Sequence, residues 1–158
     1  MKHTTLCYIE KDNMYLMLHR NKKQNDMNRD KWIGIGGKLE TGETPEQCMH
    51  REVLEETGLT VTEYMYRGAV TFISDIYDPE VMHLYSIYGF SGHVVDCDEG
   101  DLEWISKDKL YELTLWEGDK IFLNEIADPM RGYFELTLTY SGDTLISAIL
   151  DGNIIKAG

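Results

Sequence analysis

The chain has 158 residues, with 28 acids against 15 bases and a net charge of -13. That length suits one domain, residues 1–158, with a proper core, and the charge argues against polymeric DNA or RNA as a partner, since basic surfaces favour those. No stretch is apolar enough to span a bilayer, the start lacks a signal-peptide segment, and Cys7, Cys48 and Cys97 without C-x-x-C spacing support neither a disulfide framework nor a zinc site, so a reducing cytoplasm is the expected home.

In chain order, residues 4–10 and 14–19 alternate around Asp12-Asn13, which predicts a hairpin. Residues 21–30 are polar and aperiodic, a loop. Residues 32–38, Trp-Ile-Gly-Ile-Gly-Gly-Lys, read as a short buried strand running into a glycine-rich loop. There the backbone can approach a metal or a phosphate with no Cβ in the way. Thr44-Pro45-Glu46-Gln47 is a helix start: Thr44 as N-cap, Pro45 at the first helical position, Gln47 closing a capping box. Gly58 supplies the left-handed residue that ends the helix.

Residues 59–76 hold one or two strands and residues 82–90 another, with Tyr77-Asp78-Pro79 as the turn between. Residues 92–101 form a loop or strand edge, order resumes at Trp104-Ile105, and residues 107–113 suit a short helix. Residues 119–126 make a second helix, amphipathic through Ile121, Phe122 and Ile126. A β-hairpin around Ser141-Gly142-Asp143 covers residues 131–150. The pattern is mixed α and β, an α+β chain without repeats or linkers.

The chemistry concentrates in the first helix. From Gly37 to Leu59 the chain reads G-x5-E-x7-R-E-U-x-E-E-x-G-U, where U is a bulky aliphatic residue. Glu52, Glu55 and Glu56 stand at i, i+3 and i+4 and project from one face, while Met49, Val53 and Leu59 are placed to face the core. A solvated helix face alternates charge sign, but here Glu52 and Glu56 are like charges at i, i+4. Arg51 is the nearby base, and it is expected to hold Glu43 or a neighbour in position. Packed carboxylates of this kind need divalent cations, which take oxygen ligands and bridge to substrate phosphates.

Gly37 to Leu59 resembles the Nudix box, the signature of the Nudix hydrolases, at every defined position. The resemblance implies an α/β/α sandwich around a mixed sheet. It also implies hydrolysis of a small nucleoside diphosphate derivative with Mg²⁺ or Mn²⁺, the cations offsetting the repulsion between phosphates and an acidic protein. Glu52, Glu55 and Glu56 would supply most ligands and Gly37 or Gly36 a backbone carbonyl. Asp98-Glu99 followed by Trp104 resembles the segment that delivers a further metal-binding glutamate or base, which points to Glu99. One of Glu56, Glu55 or Glu99 would be the general base.

Beyond the box the chain is similar to the MutT-like 8-oxo-dGTP diphosphatases. The likeness runs through Lys23, Trp32-x-Gly34-x-Gly36-Gly37-Lys38, Phe72, Pro79-Glu80-x-Met82, Trp116-x-x-Asp119 and Gly132-Tyr133-Phe134. It implies a base pocket lined by Phe72, Met82 and Trp116, with Asp119 reading the purine edge and Lys23 reaching a phosphate. Attack at the β-phosphorus would then give a nucleoside monophosphate and pyrophosphate. Two departures weaken base reading: Ile33 replaces the family's asparagine, and Gly118 replaces the first of its tandem aspartates. ADP-ribose or another nucleoside diphosphate derivative is the alternative substrate. A nucleotide-binding regulator without activity is the other alternative, and the intact box speaks against it.

Overall fold

The computed structural model of the chain describes residues 1–22 and 26–157. The first two strands, β1 (Lys2–Lys11) and β2 (Met14–His19), form the expected hairpin. Asp12 and Asn13 turn it with φ of 51° and 61°, the left-handed pair that two-residue hairpins require. β1 and β2 pair only beside this turn, from Ile9–Leu16 to Lys11–Met14. Further along they part, and β3 (Trp32–Ile33) with the residues after it enters the gap. Ile33 faces Leu18 of β2, whereas Ile35 and Lys38 face Cys7 and Thr4 of β1 in single bridges. The buried strand expected over 32–38 is therefore two half-buried residues followed by isolated bridges. Its glycines explain this: a Cβ on Gly36 would run into the carbonyl of Thr5.

Helix α1 (Pro45–Thr57) begins and ends at its sequence signals. The Thr44 hydroxyl accepts from the Gln47 N–H, the Gln47 side chain accepts from the Thr44 N–H, and Gly58 closes the helix at φ 82°. Met49 and Val53 are fully buried beneath it, in one cluster with Cys7, Ile9, Ile35 and Ile87. Burying such side chains is worth about 1.5–3 kcal/mol each, against a few tenths of a kcal/mol for a like-charge pair at i, i+4. Packing thus holds a helix whose acid face disfavours it in isolation.

One long strand, β4 (Thr60–Ser74), covers the region where one or two were expected. It pairs with β5 (Glu80–Ser91) through register shifts between Val61 and Gly68. β6 (Asp101–Ser106) runs along β2. A 3₁₀ turn (Lys107–Glu112) and α2 (Asp119–Ile126) precede β7 (Phe134–Ser141) and β8 (Thr144–Leu150), the predicted hairpin. A short β9 (Asn153–Lys156) was not anticipated.

Among the described residues the strands join in the order β3-β2-β1-β5-β4-β7-β8-β9, with β6 on β2. β1 and β5 are parallel, as are β4 and β7, so the sheet is mixed. Leu6 and Tyr8 of β1 pack in one cluster with Phe122, Leu123 and Ile126 of α2, while Cys7 and Ile9 pack under α1. Alternation along a strand puts these on opposite faces, so the helices sandwich the sheet. Buried Arg67 of β4 donates to the carbonyls of Ile126 and Asp128 at 3.3 and 2.7 Å. A cation there suits a helix C-terminus, and by pinning the end of α2 it fixes Asp119 at the start.

Candidate active site

The glycine loop between β1 and β2 meets α1 at an acid-lined end. Glu56 accepts from the Gly36 N–H at 3.0 Å. Glu52 lies so close to Gly37 that a Cβ there would come 2.6 Å from its carboxylate. Behind them Arg51 donates to Glu43 at 2.7 and 2.9 Å, to Glu52 at 2.7 Å, to Glu55 at 3.2 Å and to the Lys38 carbonyl at 3.2 Å. This contact holds the Glu43 carboxyl down at about 2. Arg51 therefore organises the acids from the back, as the spacing suggested.

Glu99 reaches the same end from the loop before β6. Single donor atoms of Glu56, Cys97 and Glu99 all lie within 4.8 Å of one another. Arg20, one residue past β2, donates to Glu99 at 3.1 Å and to Asp26 at 2.6 Å. Burial pushes the Glu56 carboxyl up to about 9, with Glu99 and then Glu52 adding to the effect and the Gly36 N–H opposing it. Burial raises Glu52 as well. Buried carboxylates that crowd one another, with glycine backbone alongside, are the oxygen-rich donor set a divalent cation takes. The residues present fit such an ion.

A cavity of about 360 Å³ starts at Glu52, Glu99, Gly36 and Gly37 and continues along the sheet to a second, aromatic end. There Phe72, Met82, Trp116 and Asp119 line it. Trp116 is 5% exposed, and its indole N–H donates to Asn28 at 2.7 Å. It stands edge-on to Phe72 and Tyr140, with ring centroids 5.8 and 5.0 Å away, and the Lys31 ammonium lies 4.3 Å over its ring. Asp119 opens α2. Burial pushes its carboxyl from the ordinary 3.8 up to about 8, with Lys31 opposing. Burial thus favours the protonated carboxyl, which can both donate and accept a hydrogen bond.

The glycine at 118 has a steric reason. Its N–H donates to the Tyr140 hydroxyl at 2.7 Å. A Cβ there would come 2.7 Å from that hydroxyl and 2.5 Å from Leu138. Tyr140 thus fills the space a side chain at 118 would need. Ile33 lines the same cavity, so the wall at that position is apolar.

Of the residues singled out in the sequence, Gly37, Glu52, Glu99, Phe72, Met82, Trp116 and Asp119 share this one cavity. Glu56 backs its acid end through Gly36. Glu55 is turned outward, with its side chain 58% exposed and Arg51 beside it. Lys23 lies outside the described residues. Arg20, Asn28 and Tyr140 also line the cavity and Cys97 lies beside Glu56, none of them marked as site residues by motif or spacing. Arg20 carried one usable signal, its place directly after the alternating run of β2. Cys97 carried another, two residues before Glu99.

Fold and site first define a class: an α/β/α sandwich with a glycine loop and clustered carboxylates at one end of a cavity, the setting of a hydrolase for phosphoanhydrides. Residues 2–126 match the NUDIX domain, and the chain belongs to the Nudix family of hydrolases. It is 34% identical over 117 residues to the oxidized purine nucleoside triphosphate hydrolase of Danio rerio, covering 72% of this chain and 74% of that one. It is 28% identical to the uncharacterized Nudix hydrolase YvcI of Bacillus subtilis (strain 168), covering 99% and 98%. The crystal structure of a MutT protein from Bacillus halodurans matches with a TM-score of 0.84 at 27% identity, covering 96% and 98%. Nudix hydrolases act on pyrophosphate bonds of small nucleotide substrates and use divalent metal ions. No helix among the described residues is long and apolar enough to cross a membrane.

Proposed function

We propose that this Nudix hydrolase converts purine nucleoside triphosphates, oxidised ones such as 8-oxo-dGTP among them, to the monophosphate and pyrophosphate, with Mg²⁺ or Mn²⁺. The observation that carries this reading is the single cavity with carboxylates at one end and an aromatic slot closed by a buried carboxyl at the other. Its volume, about 360 Å³, is in the range of small-ligand sites.

A divalent cation held in the acid end would neutralise charge on the phosphates and lower the pKa of the attacking water. Glu52 and Glu56 would hold it, with Glu99 and the Gly37 carbonyl, and the outward-turned Glu55 would join them by side-chain rotation. Arg51 keeps Glu52 and Glu55 oriented, and the Gly36 N–H keeps Glu56 oriented. A bound cation would hold Glu56 ionised against the burial that favours its protonated form, and the proton of the attacking water would pass to Glu56 or Glu99. Arg20, on the cavity wall and bonded to Glu99, offers the positive charge to the phosphates that the sequence reading had sought in Lys23.

At the far end Trp116 offers a flat face for a base. Asp119, in the protonated form that burial favours, pairs with an adjacent acceptor and N–H on a purine edge. The oxidized purine nucleoside triphosphate hydrolase of Danio rerio is similar over most of the chain, which supports the purine assignment. With Ile33 apolar and Gly118 bare, Asp119 and Tyr140 are left to read the base, so discrimination between oxidised and ordinary purines is weaker than in a site with more polar contacts.

Pyrophosphate release with Mg²⁺ across 8-oxo-dGTP, dGTP, dATP, 2-hydroxy-dATP, ADP-ribose and a dinucleoside polyphosphate tests the proposal. The highest kcat/KM is expected for purine triphosphates. Turnover of ADP-ribose alone would contradict it.

A further inference from the structure

Cys97 is 5% exposed, and its sulfur lies within 4.8 Å of carboxylate oxygens of both Glu56 and Glu99. Cys97 and Gly100 face each other in an isolated antiparallel bridge, which holds the thiol beside both carboxylates. The Lys22 ammonium, 2.7 Å from the Cys97 carbonyl, ties the turn to the end of β2.

A sulfur and two carboxylates make a mixed donor set. Hard Mg²⁺ gains little from sulfur, whereas thiolate ligands select ions of the zinc class. Donor atoms around a tetrahedral zinc lie about 3–4 Å apart, so side-chain rotation of Glu99 and Glu56 brings this group to binding distance. Three protein donors leave a fourth position open, the pattern of zinc sites that keep a water or substrate position.

We propose that Glu56, Cys97 and Glu99 form a three-donor site for a thiophilic divalent ion of the Zn²⁺ class, overlapping the hard-cation site of the hydrolase. This rests on the reading of Glu56 and Glu99 as metal-binding residues. The incoming ion takes the sulfur's electron pair and the thiol proton leaves to solvent. Because the ion occupies Glu56 and Glu99, it competes with Mg²⁺ for them and arrests hydrolysis. Spacing along the chain gave no hint of such a site, since the fold assembles it from the end of α1 and the loop before β6.

Co²⁺ added to the full chain is the probe, read by the thiolate-to-cobalt charge-transfer band in the near ultraviolet. The band is expected in the wild type and in Cys48→Ser, and absent in Cys97→Ser and Cys97→Ala, whose folding is checked by circular dichroism. Cd²⁺ affinity should fall at least about tenfold in Cys97→Ser, with a smaller change for Mn²⁺ measured by electron paramagnetic resonance. A band that persists without Cys97, or no band in the wild type, overturns the site. If the wild type lacks the band yet binds Mn²⁺ and hydrolyses nucleotide, the thiophilic site fails alone. If Mn²⁺ also fails to bind, the hydrolase reading fails with it.

Discussion

The two ends of the cavity are built in opposite ways. Apart from Glu99 and Arg20, the acid end comes from one contiguous run, with the Gly36-Gly37 loop and α1 placing Glu52 and Glu56 through local backbone geometry. The aromatic end is gathered from distant segments: Phe72 on β4, Met82 on β5, Asp119 on α2 and Tyr140 on β7. The contrast teaches that the chemistry rests on a local motif and recognition rests on tertiary packing. Damage at the acid end should abolish turnover outright, while damage at the aromatic end should act by degrees.

The largest effect is expected from Glu56→Gln. Glutamine still accepts from the Gly36 N–H, so the fold should hold, while kcat falls on the order of 10³-fold. Because burial disfavours the ionised carboxylate, thermal unfolding without metal should occur no lower than in the wild type. A variant with near wild-type turnover would sink the assignment of Glu56.

Next comes Trp116→Ala at the other end. Loss of a stacking face costs about 1–3 kcal/mol, so KM for a purine triphosphate should rise roughly 10–100-fold with a much smaller change in kcat. If kcat falls and KM stays put, Trp116 does not hold the base.

Asp119→Asn gives a smaller effect that depends on pH. The wild-type carboxyl is protonated in the fold up to about 8 but ionises at 3.8 when unfolded. Its contribution to stability is therefore complete below 3.8 and is lost progressively as pH rises to about 8. Asparagine removes that loss, so the denaturation midpoint of the variant should decline less over this window. Nucleotide affinity should hold above pH 8 in the variant and fall in the wild type. Parallel pH profiles for the two proteins would argue against a buried, titrating Asp119.

The smallest change expected is from Tyr140→Phe. The Gly118 N–H loses its partner in a buried place, at about 1–3 kcal/mol, and the melting temperature should drop by several degrees. An unchanged melting temperature would mean that this hydrogen bond contributes nothing.

How much was legible in the sequence follows the same division. Thr44, Pro45, Gln47 and Gly58 announced α1 through local capping chemistry, and the structure has those bounds. Glu52, Glu56 and Arg51 were legible because helix periodicity fixes their mutual placement. At the aromatic end Trp116 and Asp119 were found through family resemblance, since no period links β4, β5 and α2. Arg20 was hidden because the alternation of β2 stops at His19 and the polar loop begins at residue 21, leaving it in neither. Tyr140 read as a strand residue, and its contact with Gly118 exists only once β7 packs against the start of α2. Cys97 was hidden for the same reason: its neighbours Glu56 and Glu99 become neighbours only in the fold.

The most direct test of one cavity serving both ends is a nuclear magnetic resonance titration of the wild type with Mg²⁺ and the α,β-methylene analogue of dGTP, which resists cleavage. The Trp116 indole N–H and the Gly37 amide are expected to shift together and saturate at the same concentration, with one nucleotide per chain. Shifts at one end without the other, or saturation at different concentrations, would contradict a single nucleotide that spans from the acids to the aromatic slot.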